Sequence, residues 1–381
     1  MQLKKDRQPS TLLAQAGSLW DERTGAVSMP LHAATTFRHT ALGESTGFDY
    51  SRTANPTRAE VEKVLVAFEG GAKALAFSSG MAALDCVFRL FQPGQRILVL
   101  EDLYGGSWRL LETVTKRFGV EIHLVPAIDF TPEHLQSFVP FHGLFFETPS
   151  NPTLQSVHGK TLVDFAHSHS ALAIVDNTFM TAWWQRPLLW GADVVAYSAS
   201  KYLGGHNDVL SGVLVAKEQS LGETLAALQN TTGAVLGPWD SWLLLRGLKT
   251  LPLRLEKQQE NAQKLVHWLR QHPSVLHVHY TDQDPIHLGQ STGTGAMISI
   301  VLSSENLAHA VLSKVRVWLF AESLGGVESL ITLPARQTHA DVPAQDRARL
   351  GVVDSLLRLS VGVEDFSDLQ ADLAQALEVS P

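Results

Sequence analysis

The chain has 381 residues, 45 % of them hydrophobic and 18 % Asp, Glu, Lys or Arg, with a formal net charge of −8. That composition supports a large buried core and argues against a disordered chain or the basic face of a nucleic-acid binder. A single cysteine, Cys86, excludes an intramolecular disulfide framework and any multi-cysteine metal centre, and no metal site is expected. No apolar run approaches the ~18 residues that span a bilayer. The start, MQLKKDRQPSTLLAQAG, lacks the h-region and cleavage site of a signal peptide. A cytoplasmic protein without nucleic-acid or membrane partners is expected.

In chain order, residues 1–48 show no sustained periodicity and are broken at Gly25, Pro30 and Gly43, as in an extended arm. TRAEVEKVLVAFEGG, from residue 57, places Val61, Val64, Leu65 and Phe68 on one helix face and ends on a glycine stop. ALAF (74–77) is a short buried strand, and GMAALDCVFRLF opens a second helix. The strands RILVL (96–100), GLFFE (143–147), ALAIVD (171–176) and DVVAYS (193–198) then alternate with helical stretches. This rhythm predicts an α/β fold whose mostly parallel sheet is covered on both faces. Such a sheet binds ligands beyond the carboxyl ends of its strands.

After about residue 243 the pattern changes. DSWLLLRGLKTLPLRLEKQQENAQKLVHWLR reads as one long helix kinked at Pro252. Separated strands follow, AMISIVL (296–302) and LLRLSVG (356–362), with a last helix near 365–378. The expected organisation is an arm over 1–48, a large ligand-binding domain over 49–243 and a smaller C-terminal α+β domain over 244–381.

Four segments carry chemistry. In FSSGMAAL (77–84) the amides of Gly80 and Met81 open a helix after a strand, either an anion cradle or an ordinary turn. Asp176 ends its strand as a helix cap or as the partner of a cationic ligand. Lys201, in SASKYLGGH, follows a buried strand between small residues. It is a solvated loop lysine or a nucleophilic amine, with the hydroxyls of Ser198 and Ser200 beside it. Arg358, inside an apolar strand, needs an anionic partner, structural or a substrate carboxylate. Together they are the parts of a pyridoxal-phosphate enzyme acting on an amino acid.

The chain resembles the trans-sulfuration (Cys/Met metabolism) family of fold-type I pyridoxal-phosphate enzymes, from about residue 23 to 378. The resemblance rests on YSRTANPTR (50–58), EGG (69–71), SSGMAA (78–83), YGGS (104–107), ETPSNPT (147–153), VDNTF (175–179), SASKYLGGH (198–206), ESLGGVESL (322–330) and LLRLSVGVED (356–365). It implies a fold-type I transferase-like architecture with a seven-stranded sheet, and pyridoxal 5'-phosphate as cofactor. In residue terms it implies Lys201 as the lysine that bonds the cofactor and moves protons, Asp176 as the acid on the pyridine nitrogen, and Tyr104 as the stacking tyrosine. Gly80, Met81, Ser198 and Ser200 match the phosphate cup. Tyr50 and Arg52 match residues lent to the neighbouring subunit's phosphate, hence a homotetramer built as a dimer of dimers. Asn151 with Arg358 matches the clamp on the substrate carboxylate, with Ser329 beside it.

Glu328 is similar to a glutamate of the γ-acting members, while LQNTTGAVLGPWDSWLLLRGLKTL (228–251) looks most like cystathionine β-lyases of Gram-positive bacteria. The reaction implied is β-elimination of L-cystathionine, with γ-synthase or γ-lyase chemistry as alternatives. The departures are Ser200 for Thr, His206-Asn207 for His-Ser, Gln337-Thr338-His339 for Met-Thr-His and Ala182-Trp183-Trp184 for Pro-x-Leu. His277 and His279 share a face of an extended segment, Gly293-Thr294-Gly295 reads as a turn, and Cys86 reads as a core residue.

Overall fold

The computed structural model describes residues 7–18, 21 and 23–378. The first six residues of the expected arm lie outside the described residues. The arm is not extended throughout: Pro9–Ala14 forms a short helix that buries Leu12 and Leu13 in the core.

Local signals place the first long helix, Pro56–Glu69. Asn55 caps it by accepting the Thr57 N–H, Pro56 occupies the first turn where no N–H is needed, and Gly70 closes it at φ 82°. Val61, Val64, Leu65 and Phe68 are all buried beneath it.

Seven strands form the large sheet: β1 Lys73–Phe77, β2 Arg96–Leu100, β3 Glu121–Val125, β4 Gly143–Glu147, β5 Leu172–Asp176, β6 Val194–Tyr197 and β7 Gly212–Ala216. Their order is β1-β7-β6-β5-β4-β2-β3. Every pair is parallel except the two that β7 makes, with β1 and β6. β7 runs backwards because the 198–211 connection contains no crossover helix. β3 carries Glu121 and His123 at the sheet edge, and those polar residues hide it from an apolar-run criterion. Both faces are covered. Along β4, Leu144 and Phe146 join one apolar cluster and Phe145 joins the other, which also contains Cys86. Burial pushes the Cys86 thiol up to about 12, so it is inert.

The long helix expected over 240–270 is two helices, Pro238–Leu248 and Leu251–Leu269. The chain breaks at Lys249–Thr250, which puts Pro252 in a first turn, where its missing N–H costs nothing. The division expected at 243/244 falls within the first of these helices. Beyond them, β8 Val275–His279, β9 Met297–Leu302, β10 Leu319–Phe320, β11 Leu330–Thr332 and β12 Leu356–Ser360 form a second, smaller sheet in the order β10-β11-β12-β9-β8. β12 is central and buried along its whole length, and it carries Arg358. Gly293–Gly295, expected as a turn, is irregular backbone ahead of β9 with Gly295 at φ 72°: Trp184 packs on Gly293, and Gln259 accepts the N–H groups of Thr294 and Gly295.

No helix among the described residues is long and apolar enough to cross a membrane. Among those residues no group of three or more His, Cys, Asp and Glu is placed to hold a metal ion.

Candidate active site

The carboxyl ends of β1, β2, β4, β5 and β6 lie on one edge of the large sheet and line a cavity of about 300 Å³. The Gly80–Phe88 helix starts directly after β1. Ser79 caps it by accepting the Ala82 N–H at 3.1 Å, which leaves the Gly80 and Met81 N–H groups ahead of the first intrahelical bond. A Cβ on Gly80 would stand 3.0 Å from Ser198 Cα, so only glycine lets this positive helix end approach Ser198 so closely. The Ser200 hydroxyl accepts the Ser211 N–H at 2.8 Å, tying the Ser198–Lys201 turn to β7. Together these groups offer an anion cradle.

Asp176 ends β5. Its Oδ1 accepts from the Thr178 N–H at 2.9 Å and the Thr178 hydroxyl at 2.6 Å, and that hydroxyl accepts the Ser198 N–H. Asp176 therefore organises its own turn and still lines the cavity. Opposite it, in parallel register on β4, stands Glu147, whose Oε1 accepts the Tyr104 N–H at 3.0 Å. Burial raises both carboxyl groups, and the Asp176 charge raises Glu147 further. The Tyr104 ring lies over Gly106, where a Cβ would meet Tyr104 Cε1 at 2.4 Å.

From the turn after β6, Lys201 Nζ donates to Ser323 Oγ at 3.0 Å. Burial and the neighbouring Arg358 lower its ammonium to about 8, with Glu322 opposing. Ser323 is held at φ 97°, an unfavourable backbone for a serine. Its carbonyl accepts from Arg358 Nη2 at 2.9 Å, so one residue touches both cations. Arg358 Nη1 donates to Asn151 Oδ1 at 3.1 Å, while its buried Nε has no partner. Burial lowers this guanidinium to about 10. A buried guanidinium with an idle N–H, no ion pair to a carboxylate among the described residues and a cavity in front of it is built to take an anion.

The Asn151 loop is pinned from three sides. The hydroxyls of Ser150 and Thr153 donate to buried Asp102, and Ser299 Oγ donates to the Pro152 carbonyl at 2.7 Å. His339 Nε2 lies 3.0 Å from the Asn151 carbonyl, which can only accept, so this nitrogen carries the proton and Nδ1 accepts from the Thr338 hydroxyl. Burial and Arg358 push His339 down to about 4, so it is neutral.

The cavity thus gathers Gly80, Met81, Tyr104, Asn151, Asp176, Ser198, Ser200, Lys201 and Arg358 from the expected set. Four expected residues lie elsewhere. Tyr50 is exposed, with Arg52 over its ring and donating to the Asn230 carbonyl. Ser329 donates to Glu364 and accepts the Gly362 N–H, inside the smaller domain. Glu328 is half-buried outside the cavity and accepts from Asn207. The carboxyl that this segment does bring to the cavity is Glu322. Sequence reasoning missed Glu147, which ends a buried strand as Asp176 does, and Ser323. Thr338 and His339 it noted only within the Gln337-Thr338-His339 departure, without a role.

A family model described as "Cys/Met metabolism PLP-dependent enzyme" matches residues 10–378. A cystathionine gamma-synthase/O-acetylhomoserine (thiol)-lyase of Bacillus subtilis (strain 168) is 47 % identical over 370 residues, 96 % of this chain and 95 % of that one. A cystathionine beta-lyase of the same strain is 45 % identical over 368 residues, 95 % of this chain and 94 % of that one. The crystal structure of a cystathionine gamma-lyase from Lactobacillus plantarum, complexed with L-serine, is 42 % identical and superposes with a TM-score of 0.93 over 97 % of this chain and 98 % of that one.

Proposed function

The chain belongs to the Cys/Met metabolism PLP-dependent enzyme family, and from that premise we propose that it cleaves L-cystathionine by β-elimination. The products are homocysteine, pyruvate and ammonia. At the coarser level it is a pyridoxal-phosphate enzyme of trans-sulfuration carbon–sulfur chemistry acting on a small amino acid. Relatives of nearly equal identity carry different activities, so identity alone does not choose the bond that breaks.

The residues present fit the cofactor. The Gly80 and Met81 N–H groups with Ser198 and Ser200 suit its phosphate, and Asp176, which has no cation partner among the described residues, suits a protonated ring nitrogen. Tyr104 offers a face to the ring, and Lys201 is the amine that would bond it. When bound, pyridoxal phosphate supplies a carbonyl that condenses with the substrate amine and a ring that accepts the electron pair left at Cα.

The reading rests chiefly on the meeting of Lys201 and Arg358 at Ser323. Arg358 and Asn151 would take the substrate carboxylate and so present the Cα proton to Lys201. Lowered to about 8, Lys201 is a usable base near neutral pH and removes that proton. Loss of the thiolate from Cβ follows, and Lys201, now protonated, or Tyr104 can return a proton to the leaving sulfur. Water completes the hydrolysis to pyruvate and ammonia.

One observation favours a second reading, cleavage or replacement at Cγ. That chemistry must also remove a proton from Cβ, and Glu322 places a second acid–base group in the cavity. Incubating the holoenzyme with L-cystathionine decides between them. Pyruvate and homocysteine support the proposal; cysteine and 2-oxobutyrate overturn it in favour of γ-elimination. Turnover only with an O-acylhomoserine plus cysteine overturns it in favour of synthesis.

The assembly proposed is a homotetramer built as a dimer of dimers, with Tyr50 and Arg52 reaching the neighbouring chain's cofactor. In support, both side chains lie outside their own cavity, and residues 31–50 are mostly exposed. Mixed oligomers of Lys201→Ala and Arg52→Ala chains should regain activity that neither parent has. Mixtures no better than the parents would sink the shared site.

A further inference from the structure

Glu147 has no role in the chemistry above, yet it lines the cavity beside Asp176. The two residues are register partners on adjacent parallel strands, so their side chains leave the same face of the sheet with strands ~4.8 Å apart. On the other side of Glu147 is Asp102, just beyond the end of β2, the next strand in the sheet. Glu147 is therefore the middle of a row of three carboxyl groups, Asp102 and Glu147 buried and Asp176 half-buried. None of the three forms an ion pair with a lysine or arginine among the described residues. The cations of the cavity, Lys201 and Arg358, engage Ser323 and Asn151 instead, and Glu322 adds another acid on their side.

Hydrogen-bond donors divide unequally among the three. Asp176 receives two, from the Thr178 N–H and hydroxyl, and Asp102 receives two, from Ser150 and Thr153. Glu147 receives one, the Tyr104 N–H. Adjacent buried carboxylates cannot all ionise, and the proton settles on the group with fewest donors and most like-charged neighbours. A neutral acid keeps one carbonyl oxygen for the Tyr104 N–H and offers a donor on the other.

We propose that Glu147 is a positioning residue that stays protonated at neutral pH, fixing the Tyr104 backbone while leaving Asp176 as the ionised partner for the cofactor ring. Burial and the Asp176 charge act in the same direction. Glutamate rather than a permanently neutral residue at this place lets one site carry the proton that a three-carboxylate row must hold somewhere. The inference rests on the cofactor site alone and is indifferent to which carbon–sulfur bond is cut.

The experiment uses purified holoenzyme and two variants, Glu147→Gln and Glu147→Leu. The readouts are the pH dependence of the visible absorbance of bound pyridoxal phosphate, the dissociation constant of pyridoxal phosphate, and the infrared C=O stretch of protonated carboxyl groups. Glutamine copies a neutral glutamate, so the pH midpoint of the absorbance should stay within about 0.3 of wild type and the affinity within about twofold. The protonated-carboxyl band should weaken in the glutamine variant. Leucine strands the Tyr104 N–H and should weaken cofactor binding by about tenfold or more. A midpoint moved by about one pH unit or more in Glu147→Gln, or an unchanged infrared band, shows an ionised Glu147 and overturns the proposal. Unaltered affinity and spectrum in Glu147→Leu overturn the positioning role. Should the leucine chain fail to fold, the isosteric glutamine variant still decides the protonation state.

Discussion

The two walls of the cavity are built in opposite ways. The wall formed by the strand ends of the large sheet carries carboxyl groups and small donors, each delivered by a segment directly after a strand: Gly80 after β1, Tyr104 after β2, Asp176 at the end of β5, Lys201 after β6. The facing wall carries a guanidinium, and its parts come from three remote stretches, Asn151, Ser323 and Arg358, that meet only in the folded chain. Among the described residues, Asp176 on the first wall forms no ion pair with a cation, and Arg358 on the second forms none with a carboxylate. Both would be costly defects in a structural core, since buried charges are tolerated only when partnered. Facing a common cavity, they read instead as places for a cationic ring and an anionic substrate. The unsatisfied groups are thus the informative ones.

If the walls are separable, damage to the second should spare cofactor binding. Arg358→Met should show the largest effect. Losing a buried charge-assisted contact is worth about 2–5 kcal/mol, so KM for the amino acid should rise at least about thirtyfold while the visible absorbance of bound pyridoxal phosphate stays as in wild type. Coincident loss of the cofactor would show that the two walls form one unit.

A smaller effect is expected at Asp102, which holds the loop of Asn151 without touching the cavity. Asp102→Leu removes the single oxygen, Oδ2, that accepts from both Ser150 and Thr153, which costs about 1–2 kcal/mol. KM should rise roughly fivefold to thirtyfold with kcat little changed, as steady-state kinetics would read; a fall in kcat at constant KM would assign Asp102 to the first wall instead.

A third effect concerns pH and is read in stability rather than in kinetics. His339 has its value lowered from 6.5 to about 4 in the folded chain. Between those values the unfolded chain binds a proton that the folded chain refuses, so stability falls as pH drops from 6.5 towards 4, by at most ~3 kcal/mol. In His339→Gln the amide can still donate to the Asn151 carbonyl but cannot titrate. Its Tm should therefore decline less steeply over that window than the wild-type Tm. Parallel curves would mean that His339 does not anchor the second wall.

Legibility follows the same division. Asp176 and Lys201 were readable because a short apolar strand ending in a polar residue is a local pattern, and the sheet rule says that such ends share one edge. Glu147 obeys the same pattern and could have been found by it. Glu322 could not be told from Glu328 by spacing or residue type. Six residues apart in one loop, one lines the cavity and the other bonds Asn207 outside it. Ser329 likewise turns towards Glu364 because the Gly362 backbone closes on it. The helix expected to kink at Pro252 splits two residues earlier, since a proline sits better in a new first turn than in a continuous helix.

By itself, then, the sequence determined the layered α/β core, the strand ends and the lysine–acid–helix set that suits pyridoxal phosphate, because those depend on periodicity and on residues a few positions apart. Only the tertiary structure decided that Ser323 joins Lys201 to Arg358, that Glu322 and not Glu328 lines the cavity, and that Asp102 and His339 hold Asn151. Those contacts span 35 to 207 positions of chain, and the packing of the second sheet against the first brings their partners together.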